Sequence, residues 1–266
     1  MIAPDRKRAA LHGYSACIEM LFVPETGNVV ERIGLAAEAG FDTVEFWGSD
    51  TKDIAAVGEA AARVGVAIAA FSVEPSLMLA DPANHGRFIE LLTAARDVAL
   101  RLGARRLIVV VGNKREGVPR SEQKAHIVEA LRQGADVLKG SGILLLVEPI
   151  NTGERKDTFI SATVDGLDIV DEVGRPEVRL LYDMYHSACM GERYAEVLAG
   201  RVDRIAHVHL ADNPGRHEPG TGSLDWRAGL AWLRANGYAG KVGLEYRPAA
   251  GTVAGLRFID GRLALK

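Results

Sequence analysis

The feature that most constrains the fold is a regular alternation of short apolar runs with alanine-rich segments of helical periodicity, from one end of the chain to the other. A short apolar run bounded by turn residues is typical of a buried strand in a parallel sheet. Parallel strands also need long crossover connections, which the helical segments supply. Strands are predicted at 14–20, 42–46, 66–71, 106–111, 143–148, 178–183, 204–210 and 241–246.

Helices are predicted between these strands. In segment 84–102, Phe88, Leu92 and the alanines that follow them recur at helical spacing and share one face. Gly40 and Gly65 follow two of the segments, where a residue in the left-handed conformation commonly ends a helix. The predicted helices are 28–39, 52–64, 84–102, 121–140, 162–173, 191–200 and 225–236, with a shorter one near 252–259.

Eight strand–helix pairs predict an α/β protein with a single (β/α)8 TIM barrel domain over residues 1–266, because eight parallel strands close into a barrel. Barrels of about 250 residues are commonly one domain, and no linker-like stretch divides this chain. An open, doubly wound sheet is the alternative fold. No G-x-G-x-x-G motif, which is typical of a dinucleotide-binding sheet, follows the first predicted strand, so the sequence does not favour this alternative.

The composition is ordinary for a globular protein, with 48% hydrophobic and 25% charged residues. A net charge of −3 does not favour nucleic acid as a partner, and no apolar run approaches the ~20 residues of a membrane span. Cys17 and Cys189 do not predict a disulfide scaffold, and both are expected to be buried small hydrophobic residues. No signal peptide is recognisable. We therefore expect a cytoplasmic enzyme with a small-molecule substrate and with neither nucleic-acid nor membrane partners.

Four predicted strands in the second half of the chain end in a side chain that can bind a metal ion. The carboxyl ends of parallel strands carry the chemistry of such sheets, and neighbouring strands of a barrel would bring these ends into one pocket. A single carboxylate at a strand end is often only a helix cap or a turn residue. Three buried carboxylates together, however, need a cation. The four residues are Glu148, Asp183, His209 and Glu245.

The types of ligand narrow the choice of metal. Carboxylate oxygens with one imidazole favour Mg²⁺, Mn²⁺ or Co²⁺ over a structural zinc site, which would use thiolates. We expect Mg²⁺ or Mn²⁺, with Co²⁺ or Zn²⁺ as alternatives. Four protein ligands in an octahedral site would leave about two positions for the adjacent oxygens of a sugar or a hydroxy-keto acid.

Three further polar residues follow these strands. Arg216 is a candidate for gripping an anionic oxygen through two hydrogen bonds. His186, on the loop after the sixth strand, is expected to contact substrate, with hydrogen bonding inside the barrel rim as the alternative. Glu154 is either a substrate contact or a solvated loop carboxylate.

Two other polar residues of the predicted strands, His207 and Glu45, are expected to have structural rather than catalytic roles. His207 alternates with His209 and is expected on the opposite face of its strand, as a hydrogen-bonded structural histidine. Glu45 ends the second strand, where it would either line the mouth of the barrel or make a loop contact.

At these residues the chain resembles the xylose isomerase-like TIM barrels, a group that includes sugar isomerases, ketose 3-epimerases and endonuclease IV-type nucleases. Within the group it is most similar to the hydroxypyruvate isomerases, and the resemblance covers nearly the whole chain. The Arg-His-Glu-Pro loop at 216–219 is fairly specific to that branch. The other segments that carry the resemblance are Gly-Phe-Asp-Thr-Val-Glu-Phe at 40–46, Leu-Val-Glu-Pro-Ile-Asn at 146–151 and Gly-Leu-Glu-Tyr-Arg-Pro at 243–248.

The resemblance implies a metal-dependent sugar or keto-acid isomerase that interconverts hydroxypyruvate and tartronate semialdehyde, or a related small hydroxy-carbonyl acid, through an enediolate. A homo-oligomer is compatible with it. Some hydroxypyruvate isomerases carry Gln where His209 stands, whereas epimerases carry His, so a ketose 3-epimerase stays an alternative. By the same resemblance, Glu148, Asp183, His209 and Glu245 would bind the metal, Glu148 and Glu245 would be the acid/base pair, and His186, Arg216 and Glu154 would contact substrate.

Two alternatives belong to other functional classes. One is an endonuclease IV-like abasic-site nuclease, which would need additional metal-binding histidines and a basic DNA-binding face. The other is a noncatalytic sugar-binding barrel, which metal-dependent turnover of any sugar acid would exclude.

Overall fold

The structure, a computed structural model, describes residues 11–259. Eight parallel strands follow one another in chain order around a closed barrel, and the first strand pairs with the eighth, where Ala16 lies opposite Leu244. The predicted (β/α)8 fold is confirmed, and the open-sheet alternative is wrong. The strands are β1 (Tyr14–Cys17), β2 (Thr43–Phe46), β3 (Ala67–Ser72), β4 (Arg106–Val109), β5 (Leu144–Val147), β6 (Val178–Asp183), β7 (Ile205–Leu210) and β8 (Val242–Leu244).

Helices connect the strands and cover the outside of the barrel. Gly40 and Gly65 end the first two helices with φ angles of 107° and 70°, the left-handed conformation predicted for them. The α-helices of the described residues are α1 (Val29–Ala39), α2 (Ile54–Val64), α3 (His85–Leu102), α4 (Arg120–Leu138), α5 (Thr163–Val173), α6 (Met184–Cys189), α7 (Tyr194–Val197), α8 (Trp226–Ala235) and α9 (Thr252–Gly255); 3-10 turns lie at Pro82–Asn84, Val202–Arg204 and Leu256–Ile259.

The largest departures from the predicted elements lie at the end of the first strand and in the segment after the sixth. The first strand ends at Cys17 rather than at residue 20, because the chain turns there and Leu21 N donates to Cys17 O at 2.9 Å. The predicted helix 191–200 is reduced to the single turn α7. In its place, α6 begins directly after β6, because the Asp183 side chain accepts hydrogen bonds from the first free backbone N–H groups of that helix.

The barrel interior changes from apolar to charged along the strands. Side chains that face outwards from the strands pack under the helices in the main hydrophobic core, and a smaller apolar cluster fills the inside of the barrel. Strand side chains alternate between faces, so the residue two positions further along also points inwards. Glu148 thus follows the interior residue Leu146, and Asp183 follows Leu181. The interior cluster is Ala70, Ile108, Leu146 and Leu181.

The structure also bears on the expected absence of a membrane span and on the burial of the two cysteines. None of the helices within residues 11–259 is long and apolar enough to cross a membrane. Cys17 is buried, as expected, but Cys189 is exposed. The expectation for Cys189 is wrong because it ends the short helix α6 at the barrel rim, where its Sγ lies 3.4 Å from Asn213 Oδ1.

Candidate metal and active site

The four residues predicted as metal ligands lie together at the carboxyl ends of β5 to β8. All four side chains are buried, and each offers a ligand atom within 4.8 Å of the others. His209 Nδ1 lies 3.3 Å from Glu245 Oε2 and 3.7 Å from Glu148 Oε1. These residues are far apart in the sequence but lie close together, because each is at the carboxyl end of one of four adjacent strands.

The chemistry of this donor set fits a divalent cation. Burial disfavours a charged imidazole, but Glu245 and Glu45 outweigh burial and raise the pKa of His209 well above its ordinary value. Carboxylates that draw a proton onto a buried ring form a site that attracts positive charge. His209 Nδ1 makes no hydrogen bond of standard geometry and faces the carboxylates. Three carboxylates with one imidazole nitrogen can hold Mg²⁺ or Mn²⁺, and also Co²⁺ or Zn²⁺.

Asp183 has a different environment for each of its two oxygens. Oδ1 accepts from Tyr185 N at 2.7 Å and from His186 N at 3.3 Å, which caps α6. Oδ2 faces the site, 3.5 Å from His186 Nε2 and 3.6 Å from an Arg216 nitrogen. One oxygen therefore fixes the side chain while the other is available as a ligand.

Arg216 lies across the mouth of the site. Its guanidinium bonds Glu154 Oε2 at 2.7 Å, forms a short contact with Glu245 Oε2 and lies 5.1 Å from the centre of the Tyr185 ring. Burial opposes the charge, but Glu245 and Asp183 outweigh it, so the pKa of Arg216 is raised above its ordinary value. The structure thus places a permanent cation beside the candidate ligands, with Glu154 as its partner at the rim.

His186 lies on α6 rather than on the predicted loop, and it is buried. Its Nδ1 lies 2.7 Å from Asn151 Nδ2, which can only donate, so Nδ1 accepts and Nε2 carries the proton towards Asp183. Asn151 Oδ1 accepts from the backbone N–H groups of Gly153 and Glu154, both at 2.9 Å. Asn151 therefore links the loop after β5 to the site, a role that sequence reasoning missed.

Trp47 is a second residue that sequence reasoning missed. Its indole Nε1 donates to Glu245 Oε1 at 2.9 Å, although 43% of the residue is exposed. Burial would raise the pKa of Glu245, but His209 and Arg216 outweigh it and hold that pKa well below its ordinary value. Glu245 is therefore a buried carboxylate in its charged form, in contact with Trp47, Arg216 and His209. The only signal for Trp47 in the sequence is its position directly after β2.

His207 and Glu45 both point into the barrel. The expectation that His207 lies on the face opposite His209 is wrong, because residues two positions apart on a strand share a face. The two rings lie 5.0 Å apart between centroids. Glu45 contacts both rings rather than a loop, with Oε2 2.7 Å from His207 Nε2 and Oε1 3.1 Å from His209 Nε2.

The chain is similar to known proteins over most of its length. A family model described as Xylose isomerase-like TIM barrel matches residues 33–262. The hydroxypyruvate isomerase of Escherichia coli (strain K12) is 34% identical over 67% of this chain and 69% of its own. The 2-oxo-tetronate isomerase of Cupriavidus necator is 30% identical over 86% of this chain and 91% of its own.

A solved structure extends the same comparison to three dimensions. The crystal structure described as AP endonuclease, family 2, from Brucella melitensis superposes with a TM-score of 0.87 and 30% identity, covering 92% of this chain and 96% of that one. The chain is thus similar to known proteins in both sequence and fold. The chain belongs to the xylose isomerase-like TIM barrel family. Like the relatives from Escherichia coli and Cupriavidus necator, which are both named isomerases, it is an isomerase.

Proposed function

We propose that this chain is a divalent-metal-dependent isomerase of small hydroxy-keto acids, with hydroxypyruvate and tartronate semialdehyde as the expected pair. The observation that carries the proposal is the convergence of three carboxylates and one imidazole within 4.8 Å at the carboxyl ends of four strands. The names of the relatives, hydroxypyruvate isomerase and 2-oxo-tetronate isomerase, support an acid of three or four carbons.

Glu148, Asp183, His209 and Glu245 would hold the cation, through Oδ2 in Asp183 and Nδ1 in His209. When bound, a divalent ion supplies the positive charge that polarises a carbonyl and stabilises an enediolate. The proposed ion is Mg²⁺ or Mn²⁺, and Co²⁺ and Zn²⁺ also match the donor set.

Glu148 and Glu245 would move the proton between neighbouring carbons. One of the two removes a proton from C3 of hydroxypyruvate, and the other returns a proton to C2. The hydroxyl proton on O3 is lost as the one on O2 is gained, so the product is the aldehyde isomer with the same atoms. Trp47 and Arg216 hold the Glu245 carboxylate in place, which keeps it at a fixed distance from bound substrate.

Arg216, His186 and Glu154 would contact the substrate. The Arg216 guanidinium suits a carboxylate, and it already lies beside the candidate ligands. His186 presents a protonated Nε2, a donor for a substrate oxygen. Glu154 would share Arg216 with the substrate and so set the position of the guanidinium.

A ketose 3-epimerase is the second candidate. The observation that favours it is His209 itself, since the epimerases of the resembled group carry histidine at this position. The same residues would then remove and return a proton at a single carbon of a longer sugar. The two functions therefore differ in the carbon to which the proton returns and in the length of the substrate.

A panel of substrates tests both candidates. Hydroxypyruvate, a four-carbon 2-oxo acid and ketoses of five and six carbons are incubated in D₂O with Mn²⁺ or Mg²⁺, with and without chelator, and proton NMR follows deuterium exchange and products. We expect hydroxypyruvate to turn over only with metal present. Exclusive turnover of ketoses would support the epimerase instead, and cleavage of abasic duplex DNA with no sugar turnover would overturn both.

A further inference from the structure

Below the proposed metal ligands, the barrel interior holds a second buried polar group. Glu45 lies at its centre, with Oε2 2.7 Å from His207 Nε2 and 3.1 Å from the hydroxyl of Ser15, which donates to it. Oε1 lies 3.1 Å from His209 Nε2, a close contact whose angle departs from that of a standard hydrogen bond. All four residues are at most 2% exposed, so water does not compete for these contacts.

This arrangement gives the two ring nitrogens of His209 different partners. Nε2 faces Glu45, whereas Nδ1 faces Glu148 and Glu245. A carboxylate fixed beside one nitrogen of an imidazole holds the proton there and leaves the lone pair of the other nitrogen for a cation. The position of Glu45 therefore decides which nitrogen of His209 can serve as a ligand.

Gly243 makes room for this contact. A Cβ at Gly243 would overlap Glu45 Oε1 and would lie 2.7 Å from His209 Cδ2. Any side chain at this position of β8 would push the carboxylate away from His209. The absence of a side chain on one strand thus permits a close contact between two others.

We propose that Glu45 is a positioning residue that acts through His209: held by His207 and Ser15, it fixes the His209 ring so that Nδ1 is the nitrogen presented to the cation. The inference rests on the proposed function, because it assumes that His209 is a ligand. Glu45 faces Nε2 of His209, whereas Glu148 and Glu245 face Nδ1, so Glu45 would act on the cation only through the His209 ring.

The test measures metal binding rather than activity. Mn²⁺ is titrated into the full-length wild-type chain and into the Glu45→Gln variant, and electron paramagnetic resonance reports the free ion. Glutamine keeps the size of the side chain but has one acceptor oxygen, so it cannot accept from both histidines. We expect roughly 10–100-fold weaker Mn²⁺ binding in Glu45→Gln. Glu177→Gln, at the amino end of β6, is the matched control and should bind Mn²⁺ like the wild type.

Three results separate the possible failures. Wild-type affinity in a folded Glu45→Gln variant would overturn the inference and leave the proposed metal site intact. No Mn²⁺ binding by the wild-type chain would refute the metal site as well. Equal loss in Glu45→Gln and Glu177→Gln would show a general structural effect, and would also overturn the inference.

A second measurement does not depend on the folding of a variant. In the wild-type chain labelled with ¹⁵N-histidine and loaded with diamagnetic Mg²⁺, the nitrogen shifts of His209 show which nitrogen carries the proton. We expect a proton on Nε2 and none on Nδ1. A proton on Nδ1, or equal populations of the two tautomers, would contradict a positioning role for Glu45.

Discussion

The two halves of the barrel mouth contribute to the site in different ways. The strands β5 to β8 end in side chains that point at one another and can bind an ion directly. Cys17 of β1, Glu45 of β2 and Trp47 directly after β2 contact those side chains. Ser15 of β1 contacts Glu45 in turn. The candidate ligands are recognisable along the sequence, whereas Cys17, Glu45 and Trp47 are recognised only by contacts with residues about 160 to 230 positions away.

The largest effect is expected in the half that carries the ligands. Glu148→Gln and Glu245→Gln each remove a carboxylate that would both bind the ion and move a proton. General acid/base catalysis alone is typically worth about 10²–10⁴-fold, so kcat should fall by at least about 10³-fold in each variant. Initial rates with hydroxypyruvate and Mn²⁺ measure this, with Glu177→Gln as control. Near-normal turnover in either variant would remove that residue from the proposed mechanism.

Asp183→Asn separates metal binding from helix capping. Asparagine caps helices about as well as aspartate, so α6 should keep its cap and the melting temperature in chelator should change little. The variant loses a charged ligand, so Mn²⁺ affinity should fall by more than the roughly 10–100-fold typical when a residue supporting a ligand is removed. Calorimetric titration and thermal unfolding measure the two effects. Unchanged Mn²⁺ affinity would mean that Asp183 only caps the helix.

Trp47→Phe examines the supporting half. Phenylalanine keeps the aromatic ring but removes the N–H that donates to Glu245. A hydrogen bond to a charged group is worth about 1.5–3 kcal/mol, and the partial exposure of Trp47 favours the lower end, so we expect a decrease in kcat of about tenfold. The KM for hydroxypyruvate and the Mn²⁺ affinity are measured alongside. A decrease confined to KM would instead make Trp47 a substrate contact.

Ile108→Val is expected to have the smallest effect on activity. Ile108 belongs to the apolar interior cluster, on a strand that supplies no candidate ligand. Removing one buried methylene group should cost about 0.5–1.5 kcal/mol of unfolding free energy, with kcat unchanged. Denaturant unfolding and steady-state rates test this. A loss of activity as large as that of Trp47→Phe would show that the apolar interior also positions the charged layer.

The fold could be predicted because its signals are local. Strand and helix periodicities repeat eight times, and glycines such as Gly40 mark the helix ends. The short helix α6 could not be predicted from periodicity, since it depends on one side chain, Asp183, capping it from the end of β6. Strand lengths at the mouth were overestimated for a related reason. The apolar run continues past Cys17, but the backbone turns there.

The candidate site could be predicted in part. The convergence of Glu148, Asp183, His209 and Glu245 follows from strand order and from the inward face that their positions share. The contact between Glu45 and His209 depends on register across the barrel and on the space beside Gly243, neither of which is written in a local pattern. His207 lies on the same inward face as His209, contrary to the expectation, because residues two positions apart on a strand share a face.

Because Gly243 has no side chain, it links the choice of residue on three strands, namely β2 with Glu45, β7 with His209 and β8 itself. Glutamate at position 45 can keep its present contact with His209 only if residue 243 is glycine, since even the Cβ of alanine there would displace the carboxylate. A relative without an acidic residue at position 45 could carry a larger residue at position 243, because no carboxylate would occupy that space. We therefore expect the residues at the two positions to vary together, although they lie 198 positions apart along the chain.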